Sequence, residues 1–265
     1  MINTTFSRFV IALGLLGATL VATAAPAPDV KQLDIDAPRQ VLFVGNSYFY
    51  YNDSLHNHVR RMASAAENVK LSDFKFRSIT ISGGSVEHHP ITHYLTPGAV
   101  GYKKPFDVVI LQGHSAAALG EKRTKKLRDA VKAADKLIRQ HGAKTALYMT
   151  HAYAKGHKRY APDNTQKIEA LYVETANEIG ALVLPVGLAF EEAMRRRPEL
   201  KLHKSYDNSH PDLPGSYLAA CVVYASLFGK SPVGNSYDYF GKVDKETATF
   251  LQKVADDTVR MFFGR

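Results

Sequence analysis

Cysteine is nearly absent: Cys221 is the only one in 265 residues, so no intrachain disulfide can staple the fold. A chain of this length must then hold itself together through a buried core. Cys221 lies within Tyr217-Leu218-Ala219-Ala220-Cys221-Val222-Val223, an apolar helical pattern in which a thiol is expected to be buried and inert. Long hydrophobic runs are lacking as well. The one apolar stretch of note, Phe9 to Leu20, follows Arg8 and precedes Ala22-Thr23-Ala24. It is too short for a comfortable membrane span and patterned as a cleaved export leader, with an uncleaved anchor as the lesser alternative. No cysteine near that cut would take a lipid anchor. There is no internal repeat, low-complexity tract or interior linker, and no nucleic-acid reader motif. The expectation is a leader over residues 1–24, a Pro/Ala/Asp linker over 25–38 and a single domain over 39–265. Such a protein is exported, to a periplasm or out of the cell, with no stable membrane insertion after cleavage and no nucleic-acid partner.

What is present is ordinary for a globular chain: 45% hydrophobic and 22% charged residues. The formal net charge is +9, spread over helical faces such as Glu121 to Arg139 rather than gathered in one block. A basic surface suits an acidic polysaccharide or an anionic envelope, and equally serves solubility alone.

Hydrophobic periodicity predicts five strands: Gln40–Val44, Phe74–Ile81, Phe106–Leu111, Lys144–Met149 and Ala181–Val186. Helical spacing falls between them. Asp53 reads as the N-cap of a helix presenting Leu55, Val59, Met62 and Ala66, and Leu127, Val131, Ala134 and Ile138 mark a long amphipathic helix before Gly142. Further helices run from about Thr165 to Ile179, up to Arg195-Arg196-Arg197-Pro198, and over Gly215–Phe228 and Lys245–Phe263. Strands alternating with helices imply a parallel sheet covered on both faces: α/β, a three-layer α/β/α sandwich with a five-stranded sheet.

The polar and glycine-rich clusters fall where strands end. Gly45-Asn46-Ser47, Gly83-Gly84, Gln112-Gly113-His114 and His151 each follow a predicted strand, and Asp207-Asn208-Ser209-His210-Pro211 lies on a late loop. In a parallel sheet those ends converge on one rim, where ligands bind. Ser47 there is either a helix cap or a nucleophile. A nucleophilic serine needs a base and the base an orienting carboxylate, for which Asp207 and His210, three apart, are suited. A capping aspartate beside a surface histidine would leave the same spacing. The Ser47 N–H, a Gly83 N–H and the Gln112 amide are candidate oxyanion donors. Ser115, in Gly113-His114-Ser115, is an alternative nucleophile. His88, His89 and His93 include a pair four apart, yet no carboxylate or third ligand completes a metal pattern. Tyr48, Phe49, Tyr50 and Tyr51 flank Ser47, suited to a sugar ring, an acyl group or plain packing.

Together, Val41-Leu42-Phe43-Val44-Gly45-Asn46-Ser47, Ile81-Ser82-Gly83-Gly84-Ser85, Leu111-Gln112-Gly113-His114-Ser115 and Asp207-Asn208-Ser209-His210-Pro211 resemble the sequence blocks of the SGNH (GDSL-like) hydrolases. The resemblance extends through Gly215-Ser216-Tyr217-Leu218-Ala219-Ala220 and implies the flavodoxin-like SGNH hydrolase fold. It makes Ser47 the nucleophile, His210 the base, Asp207 its orienting carboxylate and Gly83 an oxyanion donor. Two departures stand out: Gly-Asn-Ser replaces the usual Gly-Asp-Ser, and Gln112-Gly113-His114 stands where the family usually offers an asparagine. The latter is similar to the Gln-Gly-Glu-Ser block of the carbohydrate and sialate acetylesterases, which favours Gln112 as side-chain donor with His114 as the other possibility. Asn46, Gly84, His114, Tyr48 and His151 are the remaining pocket candidates. The resemblance implies a serine ester hydrolase that needs no metal or other cofactor and acts on a small-molecule or polysaccharide ester. The preferred reaction is removal of acetyl or another short acyl group from a carbohydrate. A lipase, a thioesterase or a polysaccharide O-acyltransferase would use the same residues, and an inactive glycan-binding protein would keep the scaffold alone.

Overall fold

A computed structural model describes Met1 and residues 26–265; the expected leader lies outside the described residues. The linker, from Pro26 onward, carries no regular secondary structure. In chain order the elements are β1 (Gln40–Gly45), α1 (Ser47–Tyr50), α2 (Leu55–Glu67), β2 (Lys75–Thr80), α3 (Ile91–Leu95), β3 (Val108–Gln112), α4 (Glu121–Gln140), β4 (Lys144–Tyr148), α5 (Asn164–Ile179), β5 (Leu182–Leu184), α6 (Val186–Arg196), α7 (Leu213–Phe228) and α8 (Lys245–Phe263). Short 3-10 turns occupy Leu71–Asp73 and Val86–His88. The five strands pair in parallel in the order β2-β1-β3-β4-β5.

Alternation along β1 explains the layers. Val41 and Phe43 face one core with Met62 of α2, Phe190 of α6, Val223 of α7 and Leu251 of α8. Leu42 and Val44 face the other, with Leu95 of α3, Val131 of α4 and Leu171 of α5. Successive strand residues point to opposite faces, so a run of buried apolar residues must be covered twice. The α/β/α expectation therefore describes the observed layers. Strand order reverses between β1 and β3, the point at which loops diverge and leave a crevice.

Some local expectations shift. Ser54, not Asp53, precedes α2; Asp53 has φ +71° and pairs with Arg61 at 3.3 Å, so its carboxylate is used on the surface. Ala63 rather than Ala66 is buried on the α2 face. β5 is cut to three residues because Val186 already begins α6. α1 and α3, too short to show a periodicity, were not anticipated.

α7 is buried on all sides, wedged among the sheet, α2, α6 and α8, which is why its sequence is apolar all round. Asp212 caps it by accepting from the Leu213 N–H at 2.9 Å. Cys221 lies on this helix with no exposure, and burial pushes its thiol pKa up. A chromogenic disulfide reagent is therefore expected to leave the native protein unlabelled and to titrate one thiol after denaturation; rapid labelling of the native state would contradict this packing.

Candidate active site

The site is built at the carboxyl edge, beginning with a close approach. A Cβ on Gly45 would lie 2.4 Å from Gln112 Oε1 and 2.7 Å from the Phe49 ring, so only glycine ends β1 here. Asn46 then caps α1, its Oδ1 accepting from the Tyr48 N–H at 3.1 Å. Ser47 is the first residue of α1, so its N–H has no intrahelical acceptor.

The late loop meets it. His210 Nε2 lies 2.8 Å from Ser47 Oγ, and His210 Nδ1 lies 2.5 Å from Asp207 Oδ2. Asp207 Oδ1 accepts from the backbone N–H groups of Ser209 and His210 at 2.9 and 3.0 Å. Partial burial works to raise the Asp207 pKa, but the bonds from His210 and those two N–H groups outweigh it and hold the carboxyl below its usual range. With Asp207 accepting at Nδ1, the neutral imidazole presents an unprotonated Nε2 to the serine hydroxyl. The structure thus brings Ser47, His210 and Asp207 into one relay, across 163 residues of chain between the first two.

Both ends of the relay are braced. His151 is sandwiched between the rings of Tyr48 and Phe190, each with centroids 4.2 Å away, and its Nε2 donates to the Ser209 carbonyl at 2.9 Å. Tyr48 Oη lies 2.9 Å from Ser209 Oγ. One layer of rings therefore ties the residue after the serine to the residue before the histidine. Asn52, which the sequence reading passed over, adds a second tie: its Nδ2 donates to the Pro211 carbonyl at 3.0 Å and to Ser216 Oγ at 2.8 Å. Asn52, Asp53 and Ser54 all have positive φ, between 54° and 71°. Left-handed backbone costs about 1 kcal/mol or more per non-glycine residue, so these bonds hold a strained turn against relaxation. A cluster of Asn-Asp-Ser was the available signal, since such residues tolerate that conformation.

Gly83 lies in a tight turn closed by the Gly84 N–H donating to Ile81 O at 2.8 Å, with Gly83 at φ +64°. Together with Ser85, His88 and His114 it lines a cavity of about 250 Å³. His114 Nδ1 accepts from the Ala116 N–H at 3.0 Å, which puts the ring proton on Nε2. Burial, then the nearby Arg159 and Arg123 charges, push the His114 pKa down, keeping it neutral.

Five assignments change. Gln112 is fully buried: its Nε2 donates to Asn46 Oδ1 at 2.8 Å and to Gly113 O at 3.3 Å, and its Oε1 accepts from the Asn46 N–H at 3.1 Å. With both amide hydrogens used inside the core, it has none to offer an oxyanion. Tyr48 and His151 are struts rather than pocket walls, both buried and engaged as described. Gly84 and Asn46 are likewise internal, joined by Asn46 Nδ2 donating to Gly84 O at 2.9 Å. Ser115 Oγ bonds Tyr153 Oη at 2.8 Å instead of a histidine, so nothing activates it as a nucleophile. His88 caps the Ser85 N–H through Nδ1, and His89 Nε2 donates to Gly45 O at 3.0 Å, leaving these rings committed separately. Among the described residues no group of three His, Cys, Asp or Glu is placed to hold a metal ion, and no helix is long and apolar enough to cross a membrane. A separate cavity of about 450 Å³ between the start of the described chain and the α6–α8 face holds Glu169 and Glu191 but no nucleophile and base in contact.

Aromatic rings flank the relay on its outer side. The Tyr51 ring stacks on His210 with centroids 4.5 Å apart, Tyr50 stacks on Tyr51 at 5.4 Å, and Tyr206 Oη donates to Tyr51 Oη at 3.0 Å. Tyr50 and Tyr206 are exposed.

No protein-family model matches the chain, and no curated protein matches it in sequence. Among solved structures it is similar to a DUF4886 family protein from Bacteroides uniformis, with TM-score 0.61 and 19% identity over 83% of this chain and 93% of that one. It is similar to a protein from Slackia heliotrinireducens provisionally named an SGNH hydrolase, with TM-score 0.56 and 21% identity over 70% and 97%. It is also similar to the acetyl xylan esterase AlAXEase, with TM-score 0.54 and 14% identity over 70% and 98%. At these identities the likeness is one of architecture: the chain has the SGNH hydrolase fold.

Two outcomes are expected. Asn46→Asp would set a buried carboxylate against the carbonyls of Gly84 and Gly113, so the denaturation free energy should fall by about 2–4 kcal/mol; an unchanged midpoint would contradict the amide orientation. His58, His89, His151 and His203 are buried, and burial lowers each pKa below 6.5. Their unfolded forms therefore bind protons more readily, so the stability they contribute is complete above pH 6.5 and is lost as pH falls below it. Urea midpoints measured at pH 7.5 and pH 5 should show the lower value at pH 5, well before carboxylates titrate.

Proposed function

We propose that this protein, carrying the SGNH hydrolase fold, is a serine ester hydrolase that removes acetyl or other short acyl groups from a carbohydrate. The observation that carries the reading is the continuous Ser47–His210–Asp207 relay at the carboxyl edge of the sheet. Ser47 Oγ attacks the ester carbonyl carbon as His210 Nε2 takes its proton. Asp207 keeps the imidazole in the required tautomer and stabilises its charged form. The tetrahedral oxyanion is met by the Ser47 and Gly83 N–H groups and by His114 Nε2–H, which takes the place first assigned to Gln112. His210 returns the proton to the departing sugar hydroxyl. Water, deprotonated by the same ring, then releases the acid and restores Ser47.

Carbohydrate as the alcohol is supported by the Tyr50, Tyr51 and Tyr206 rings beside His210, since exposed tyrosines offer flat apolar faces with polar edges. The acetyl xylan esterase among the structural neighbours points the same way. Export by the leader over residues 1–24, with residues 39–265 as one catalytic unit, belongs to the same proposal.

With 4-nitrophenyl acetate, the mature protein should release nitrophenol and Ser47→Ala should give only background. Asp207→Asn should lower kcat by about 10⁴-fold, because the imidazole loses its orienting acceptor. His114→Ala should lower kcat by about 10²-fold with little change in KM, the pattern of a donor that binds mainly the transition state. Equal background release from the mature protein and Ser47→Ala would sink the hydrolase reading.

A further inference from the structure

We infer that the ester taken by this site is carried on an acidic carbohydrate, a uronate-containing chain whose carboxylates lie along a cationic groove formed by Arg123 and Arg159. The inference rests on the hydrolase reading above and names its substrate class.

The groove is made of two hollows that share a lining residue, the first of them lined by the proposed oxyanion donors Gly83 and His114. The cavity of about 250 Å³ lined by Gly83 and His114 is also lined by Arg123, Lys126 and Glu87. Arg123 is also a wall of the next depression, about 410 Å³, which continues to Arg159 and Lys167. Arg123 thus lines both hollows, and Arg159 lines the second.

These two charges are the uncompensated ones in the groove. Lys126 faces Glu87 at 3.7 Å and Lys167 pairs with Asp163 at 2.8 Å. Arg123 has no carboxylate partner among the described residues; its Nε donates to Ala116 O at 3.1 Å and its Nη2 to Leu119 O. Carbonyl acceptors fix the guanidinium plane without cancelling its charge, and its remaining N–H groups stay available. Arg159 is likewise without a carboxylate, reaching Tyr153 Oη at 3.5 Å, while Asn164 Nδ2 pins its backbone carbonyl at 2.8 Å. After burial, the charges of Arg159 and Arg123 push the His114 pKa down, in keeping with their place beside that ring. Planar guanidinium forks match carboxylates in a bidentate manner.

Extent decides where the anion sits. Two successive hollows exceed what an acyl group of a few atoms occupies, whereas a sugar chain would cross both. Neutral faces of such a chain would meet the tyrosines beside His210, and its carboxylates the arginines.

The test compares O-acetylated polygalacturonate with O-acetylated xylan of matched acetyl content, reading acetate release as a ratio of kcat/KM. The ratio should favour polygalacturonate by about tenfold or more, the scale of a charge-assisted hydrogen bond. It should collapse toward one in Arg123→Gln/Arg159→Gln and fall part-way in Arg159→Gln alone, an exposed residue. Lys75→Gln/Lys144→Gln, which removes the same charge from the exposed first residues of β2 and β4 at the opposite sheet edge, should keep it. Equal rates on the two polymers, or an equal fall in both double variants, would overturn the assignment. So would a preference for 4-nitrophenyl hemisuccinate over 4-nitrophenyl acetate without any preference between polymers, since that puts the anion on the acyl side. A binding arm separates this inference from the hydrolase reading. Titration calorimetry of Ser47→Ala with oligogalacturonate should give binding that the arginine substitutions abolish and the lysine substitutions spare. If no ester is cleaved yet that pattern holds, the hydrolase reading fails and the groove assignment stands; no difference between the pairs overturns the groove assignment.

Discussion

The Asn46 side chain is the joint on which the site depends. Its oxygen accepts from the Tyr48 N–H and from Gln112 Nε2, and its nitrogen donates to the carbonyls of Gly84 and Gly113. One buried amide thereby fastens the end of β1 to the turn after β2 and to the loop after β3. Every bonding position it has is filled, the condition under which a buried polar group adds order instead of a desolvation penalty. The same accounting explains why asparagine stands where the resemblance leads one to expect aspartate. Two carbonyls demand donors, and a carboxylate has none. Gln112 belongs to the same solution, since its amide supplies the hydrogen that Asn46 Oδ1 receives.

The opposite wall is fixed by different physics. The loop bearing Asp207 and His210 has little regular structure, so its position is set from outside. His151 holds the Ser209 carbonyl while its ring is clamped between Tyr48 and Phe190. Asn52 holds the Pro211 carbonyl from a turn whose backbone is itself strained. The serine and the histidine are thus fastened to each other twice beyond their own hydrogen bond. With such bracing, the Ser47–His210 hydrogen bond does not have to hold the two elements together.

Much of this arrangement was legible because strand ends announce themselves. Buried runs broken by Gly45, Gly83 and Gly113 located the rim, and the spacing of Asp207 and His210 fitted a base with its carboxylate. What the residues could not reveal was the direction of side chains within one helical turn or one strand end. Gln112 at the end of β3 had equal claim to face solvent or core; Asn46 decides it, and only the folded chain brings Asn46 within 2.8 Å. Tyr48 reads as a pocket residue because it adjoins Ser47, and His151 because it follows a predicted strand. α1 turns Tyr48 inward and Phe190, from a distant helix, completes the stack. Asp53 failed as a cap because the three-residue left-handed turn before α2 moves the cap position to Ser54.

The electrostatics of the rim follow from which histidines own a carboxylate. His210 has the Asp207 carboxylate directly on its Nδ1. His151 and His203 are held neutral by burial, and His114 by burial together with two guanidiniums. These rings are therefore neutral, while the guanidiniums of Arg123 and Arg159 lie on the side of Gly83 and His114. Arg123 and Arg159 are fixed by neutral acceptors, so their field is not spent on a protein carboxylate. In the hydrolase proposed above, a field so placed would act twice: it would favour the oxyanion during reaction, and before reaction an anionic substrate over a neutral one.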